Sequence, residues 1–420
     1  MHYLTSNERR RVVITGMGVV APNGIGVDNF WDSLIHGRSG IRKITHFDAS
    51  FYPSQIAAEV PDFDPTNYME PKTARRSDRF GHFCLASSLM ALQDAEIQIP
   101  FKDPYRIGVF VGTAMGGVET GENQHLIFIE KGYKRLAPHA EEAISTHSAS
   151  GMISAAFIVK GPNTTISSGC NSGLDACYLA YNTIRMGDAD IIIVSAGEAP
   201  ITPYIVSILS AAGVLSTQNG DPKGAVRPYD INASGMVLGE GGGSIIIEEL
   251  NHAINRGAKI YGEILGYSAL NEAYMFEVKK TDVEVMTRAF KEAIGRPHID
   301  LKDIGYICSH GNGLLKYDIG ETESIKKAFG ELAYKIPVSS IKPVTGQSLS
   351  ATGIYQVITS SLAIQKGIIP PTINHENPAP GCDLNYVPYH YLKKDVNIAI
   401  MNAHGFGGRH TVLVIGKFVK

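Results

Sequence analysis

Short β-branched runs alternate along the chain with stretches whose apolar residues recur three and four positions apart. "RRVVITGMGVV", "YRIGVFVGTAMGG", "ADIIIVSAGEA" and "GGSIIIEEL" end at glycines or other small residues, as buried strands do. Between them, "RFGHFCLASSLMALQDAEI" and "SGLDACYLAYNTIRMGDA" carry helical spacing. In the second, Leu174, Cys177, Tyr178, Tyr181 and Ile184 line one stripe. This alternation predicts an α/β protein with parallel or mixed sheets.

After about residue 257 the pattern restarts. "KIYGEILGYSA", "DVEVMTRAFKEAIG", "IGYICSHGNG", "GETESIKKAFG", "VSSIKPVTG" and "NIAIMNAHGFGGRHTVLVIGK" repeat the strand and helix grammar, with no Pro/Gly/Ser linker and no low-complexity stretch between. Two similar, closely packed halves are expected, 1–257 and 258–420. A length of 420 residues agrees, because it exceeds what one hydrophobic core usually organises.

Composition narrows the class. With 44% hydrophobic and 19% charged residues the chain reads as an ordinary globular protein with ample core. A formal charge of −3, without blocks of like charge, gives no electrostatic reason to expect a nucleic acid partner. No apolar run is long enough to span a membrane, and "MHYLTSNERRRVVITG" lacks the apolar core of a secretory signal, so a cytoplasmic protein is expected. Five scattered cysteines without a C-x-x-C pair argue against a disulfide frame and a structural zinc site.

One motif misleads. "GMGVVA" fits the dinucleotide fingerprint G-x-G-x-x-G/A, but Pro22, Asn23 and Gly24 follow where the phosphate-binding helix should run on. The stretch is assigned to a turn instead.

Candidate chemistry lies in three other places. Cys170, in "PNTTISSGCNSGLDA", is flanked along the chain by small and polar residues that offer no apolar surface, and it precedes a helix from Asn171, where the macrodipole and free N–H groups favour a thiolate. That is the setting of an activated nucleophile. His310 in "ICSHGNG" and Lys342 in "IKPVTGQS" fall at strand ends, where α/β proteins carry reacting groups. Spacing alone leaves open that Cys170 is core filler, His310 a structural residue, Lys342 solvated and "GFGG" a tight turn.

Resemblance decides among these. "TTISSGCNSGLDA", "GDADIIIVSAGEAPITP", "RPYDINASGMVLGEGGG", "SHGN…DIGETESIKKAFG", "SSIKPVTG", "GIIPPTINHENPAPGCDLNYVP" and "NAHGFGG" follow, in order, the signature stretches of the β-ketoacyl-acyl carrier protein synthases. "SGCNSGLDA" and "CDLNYVP" most resemble type II polyketide ketosynthase subunits and elongating fatty acid synthases. The resemblance implies a thiolase-like fold, a five-layer αβαβα sandwich of two related halves, paired as a homodimer or with a ketosynthase-like subunit. It makes Cys170 the nucleophile that takes an acyl group from an acyl carrier protein, His310 the first active-site histidine and Lys342 the lysine after it. Asp318 and Glu321 match the acidic pair near that lysine, and Phe406 the gatekeeper phenylalanine. The backbone N–H groups of Cys170 and Phe406 would form the oxyanion hole. No cofactor beyond the carrier's phosphopantetheine, and no metal, is implied.

Departures cluster at one spot. Gln347 stands in place of the second active-site histidine and keeps an N–H donor but no titratable proton. The family's Thr-x-Thr reads Asn312 and Leu314, of which only Asn312 can hydrogen-bond through its side chain. His404 replaces a usual Phe, and Arg409 and His410 replace Thr-Asn. The leading expectation is decarboxylative condensation with a malonyl-type extender at a rebuilt site, His404 lending an imidazole. The alternatives are acyl transfer to another nucleophile or water without decarboxylation, and a non-catalytic partner like the chain-length factors. Those subunits lose the cysteine, whereas this chain keeps it. The depth of the acyl pocket is expected to depend on Met115 and on the partner subunit.

Overall fold

The computed structural model describes residues 10–273, 281–295 and 299–419. Its apolar runs form one mixed sheet of 11 strands, built from two series with the same plan. Val12–Ala21 pairs antiparallel with Gly241–Glu249, and that strand antiparallel with Ile191–Glu198. Ile107–Gly112 then runs parallel to Ile191–Glu198, and Asn163–Ile166 parallel to Ile107–Gly112. Gly262–Asn271 begins the same sequence of pairings again. Arg409–Gly416 and Ile398–Gly405 follow antiparallel, then Ile304–Cys308 and Val338–Ser339 parallel. The series meet where Val13 faces Glu263 and Ile14 faces Gly262.

Alternation along the strands sorts side chains into three apolar layers. Ile192, Val194, Ile245 and Ile247 of the first series share a central core with Ala399, Met401, Leu413 and Ile415 of the second. Their neighbours Ile191, Ile193 and Ile246 point the other way, onto Phe80 and Phe83 of the helix Arg79–Asp94. Ile398, Ile400, Val412 and Val414 likewise meet Met286 and Phe290 of the helix Val283–Gly295. Between the series lie the helices Ser172–Met186 and Ala351–Lys366, the latter buried from Ala351 to Ile364. Helix, sheet, helix pair, sheet and helix make the five-layer αβαβα sandwich of the thiolase-like fold.

The two central helices touch where both carry glycine. A Cβ on Gly173 would fall 2.3 Å from the Ser350 carbonyl oxygen, and one on Gly353 2.9 Å from the Leu174 nitrogen. Backbone meets backbone there, and this fixes how the helix N-termini lie against each other.

The "GMGVVA" assignment is corrected. Gly16 and Gly18 lie inside the strand Val12–Ala21, and the turn comes after it, at Pro22 and Asn23. The glycines serve close packing: a Cβ at position 16 would fall 2.3 Å from the Ala91 carbonyl oxygen, and one at 18 would fall 2.0 Å from that of Ser87. The helix Arg79–Asp94 therefore lies directly on this strand.

Among the described residues, no helix is long and apolar enough to cross a membrane, and no group of three or more His, Cys, Asp or Glu side chains could hold a metal ion. All five cysteines are free thiols, and four of them are buried. Cys170 is the partly exposed one.

Candidate active site

The nucleophile turn is set by its neighbours. After the strand Asn163–Ile166, Gly169 takes φ +68° and opens a single 3-10 turn, Gly169–Asn171, that feeds the central helix Ser172–Met186. Left-handed backbone suits glycine there. Ser172 Oγ donates to the Gly169 carbonyl at 2.7 Å and accepts the Ser168 N–H at 2.9 Å, closing the turn. Asn171 Nδ2 donates to the Ala403 carbonyl at 2.9 Å and to Thr411 Oγ1 at 3.0 Å, which ties the turn to the second series. Gly405 has no room for a side chain, since a Cβ would lie 2.8 Å from Asn171 Oδ1.

Cys170 packs, with Met115, Val118 and Leu314, on an apolar cluster that includes Ile205, Leu215 and Leu349. Leu314, a departure from the family pattern, packs on the same apolar cluster as Cys170. Burial raises the thiol's pKa, while Lys342 and the Gln347 amide pull it down. Gln347 Nε2 donates to Cys170 Sγ at 3.3 Å.

The loop after the strand Ile304–Cys308 is held by two buried carboxylates. Glu321 accepts the His310 N–H at 2.7 Å and the Gly311 N–H at 2.9 Å. Asp318 accepts those of Asn312 at 3.1 Å and Gly313 at 3.2 Å. Both carboxylates come from the helix Leu315–Phe329, one turn apart. The Lys342 ammonium donates to the His310 carbonyl. The acidic pair and the lysine therefore bind the same loop backbone from two sides. Burial moves the Lys342 pKa down to about 8 and that of Asp318 up to about 7. Burial, with His404 and Lys342 beside it, holds His310 well below the ordinary histidine range, so its ring is neutral at pH 7.

His404 enters from the hairpin of the strands Ile398–Gly405 and Arg409–Gly416, on which it faces His410. Its ring centroid lies 4.0 Å from that of His310 and 5.4 Å from that of Tyr317, with the planes 28° apart in the latter pair. Burial keeps this ring neutral too, and its Nε2 is buried without a hydrogen-bond partner. His410 Nε2 pairs with Glu272 at 2.5 Å. Phe406, at the tip of the hairpin, is 41% exposed, whereas His310, Lys342, Gln347 and His404 are buried.

Cys170, His310, Lys342, Gln347 and His404 thus gather from three loops and one hairpin. Sequence reasoning passed over Asn171, Tyr317 and Asn402, whose Nδ2 donates to Glu321 Oε1 at 2.5 Å. Asn171, immediately after the nucleophile, was visible only as one more small polar residue. Nothing in the local pattern marks the other two.

Residues 9–253 match the beta-ketoacyl synthase N-terminal domain, and residues 261–376 the beta-ketoacyl synthase C-terminal domain. A 3-oxoacyl-[acyl-carrier-protein] synthase 2 of Synechocystis is 39% identical over 411 residues, 98% of this chain and 99% of that protein. Its counterpart in Coxiella burnetii is 38% identical over 410 residues, again 98% of this chain and 99% of that protein. A chain in the structure of a type II polyketide synthase acyl carrier protein, complexed with its ketosynthase bound to the hexaketide, superposes with TM-score 0.90 at 32% identity, covering 98% of this chain and 100% of that one. A chain of the ishigamide ketosynthase/chain length factor gives 0.92 at 29% identity, with the same coverage. The chain belongs to the beta-ketoacyl synthase family, the acyl-transferring condensing enzymes of polyketide and fatty acid synthesis.

Proposed function

We propose that this protein takes an acyl group from an acyl carrier protein onto Cys170 and condenses it with a malonyl-type extender by decarboxylation, at a site that works without a second histidine. The observation that carries the reading is Cys170 itself: a partly exposed thiol on a helix N-terminal turn, within hydrogen-bond reach of Gln347 and packed on an apolar cluster. His310, neutral and backed by Lys342, Asp318 and Glu321, supports extender activation as a hydrogen-bond donor. Phe406, exposed on its hairpin, acts as the gate. The helix N-terminus and the backbone N–H groups of Cys170 and Phe406 stabilise the tetrahedral oxyanion.

The two series of strands correspond in this reading to functional halves, 1–257 supplying the sulfur and 258–420 the donors. The working unit is a pair, either homomeric or with a ketosynthase-like subunit. Two features support pairing. The strand Asn163–Ile166 ends the sheet with a free edge, and the helix Val118–Lys131 buries none of its residues while exposing Leu126, Phe128 and Ile129.

Intact mass spectrometry after incubation with acyl and malonyl carrier proteins tests the reading. Acyl adducts on the wild type, none on Cys170→Ala, and a β-ketoacyl product on the carrier are expected. Acylation that survives Cys170→Ala removes the centre of the proposal. Adducts that form without product favour acyl transfer to another nucleophile.

A further inference from the structure

We propose that the side-chain amide of Asn312 is a catalytic hydrogen-bond donor to the thioester oxygen of the extender, acting beside His310. The inference rests on the condensing reading above.

Two donors face each other at this place. Asn312 Nδ2 lies 3.3 Å from His310 Nε2. The amide's orientation is fixed, because Oδ1 accepts the backbone N–H of Leu314 at 3.0 Å and only the NH2 end is left toward the imidazole. The ring is fixed as well. His310 meets an N–H donor at each nitrogen, that of the His404 main chain at Nδ1, 3.4 Å away, and that of Asn312 at Nε2; a neutral ring accepts at one nitrogen only, and we assign that place to the main-chain donor, which cannot turn away, so the ring's proton sits on Nε2. An N–H of the amide therefore meets an N–H of the ring with no acceptor between them. Both side chains are buried, and buried donors without an acceptor are costly. An oxygen admitted beside them accepts from both and removes that cost, and a negatively charged oxygen gains most.

The other candidates for this duty are occupied or turned otherwise. One N–H of Gln347 goes to the sulfur of Cys170, which turns its amide toward the nucleophile. His404 lays its ring against that of His310, and the hydrogen bond it offers there comes from its main chain.

The step balances with these groups alone. The bond between the extender's α-carbon and its carboxylate breaks and carbon dioxide leaves. The electron pair moves into the enolate, whose charge on the thioester oxygen is held by Asn312 Nδ2–H and His310 Nε2–H. The α-carbon then attacks the acyl-Cys170 carbonyl. The tetrahedral intermediate collapses, breaking the carbon–sulfur bond and returning Cys170 as thiolate. No proton is gained or lost, and no metal, oxidant or reductant is required.

The test uses the full-length protein with Asn312→Asp, which keeps an oxygen for the Leu314 N–H but replaces the donor by a second oxygen. Asn312→Ala serves as the second variant. Carbon dioxide release from malonyl carrier protein is expected to fall about a hundredfold in Asn312→Asp, while acyl loading on Cys170 stays within about threefold. Unchanged release overturns the inference, and so does an equal loss of loading and release in both variants, which marks a purely structural residue. A wild-type protein that loads acyl groups but never releases carbon dioxide overturns the condensing reading itself, and Asn312's role with it.

Discussion

The side-chain amide of Gln347 donates its Nε2 hydrogen to the sulfur of Cys170 across 3.3 Å, and its own Oε1 is buried without a partner. The residue in the second histidine's place therefore attends to the nucleophile. A thiolate accepts this hydrogen bond more strongly than a thiol does, so the contact favours ionisation of Cys170 against the burial that opposes it.

Gln347→Ala removes that donor, and the Cys170 pKa should rise further. The pH profile of alkylation by iodoacetamide, followed by intact mass, is expected to move its midpoint to higher pH in the variant. The rate at pH 7 then falls, because a smaller fraction is thiolate. A midpoint that stays put or moves down refutes the assignment.

Gln347→His restores the family's histidine. With Asn312 already supplying a second donor, release of carbon dioxide from malonyl carrier protein should stay level or decline. A gain approaching about a hundredfold, the order that one oxyanion donor is worth, means that the site had simply lost a group.

His404→Phe separates stability from activity. It removes a buried nitrogen with no hydrogen-bond partner, so the denaturation midpoint should rise, by about 1 kcal/mol in unfolding free energy. The main-chain bond to His310 Nδ1 is retained, and acyl loading should persist. If the imidazole itself takes part, carbon dioxide release drops about tenfold or more. A variant that is more stable and fully active removes His404 from the chemistry.

Asp190 accepts from Arg106 and Arg10, which lower its pKa to about 2. Because the folded value lies below the ordinary aspartate value, the stabilisation is fully present above about pH 4. It disappears as pH falls through about 2. The carboxylate is partly exposed and its ion pairs are screened, so Asp190→Asn should cost about 1 kcal/mol at pH 7 and low salt. The gap between variant and wild type in thermal melts should narrow from pH 5 to pH 3, and one that widens contradicts the assignment.

The strands and helices were legible because burial on both faces leaves continuous apolar runs such as "IIIV" at 191–194, and the restart after residue 257 foreshadowed the repeated strand order. Gly16 and Gly18 misled, because a glycine that admits a helix looks, in sequence, like one that makes a turn. At the site, Cys170, His310 and Lys342 stood out through their position after strands. The direction of the Gln347 and Asn312 amides did not. Each is fixed by one partner close by, the sulfur of Cys170 for the first and the Leu314 N–H for the second, and side-chain orientation leaves no periodic trace.

The glycine contact between the two central helices has one further consequence. Cys170 stands at the head of one helix and Gln347 just ahead of the other, and where Gly173 meets Ser350 nothing larger than hydrogen fits. Severed after residue 257, the chain would hold the sulfur on one fragment and both imidazoles on the other. Turnover by the mixed fragments would then report that the helices had docked, and a bulky side chain at position 173 would silence that signal while leaving each fragment's own sheet intact.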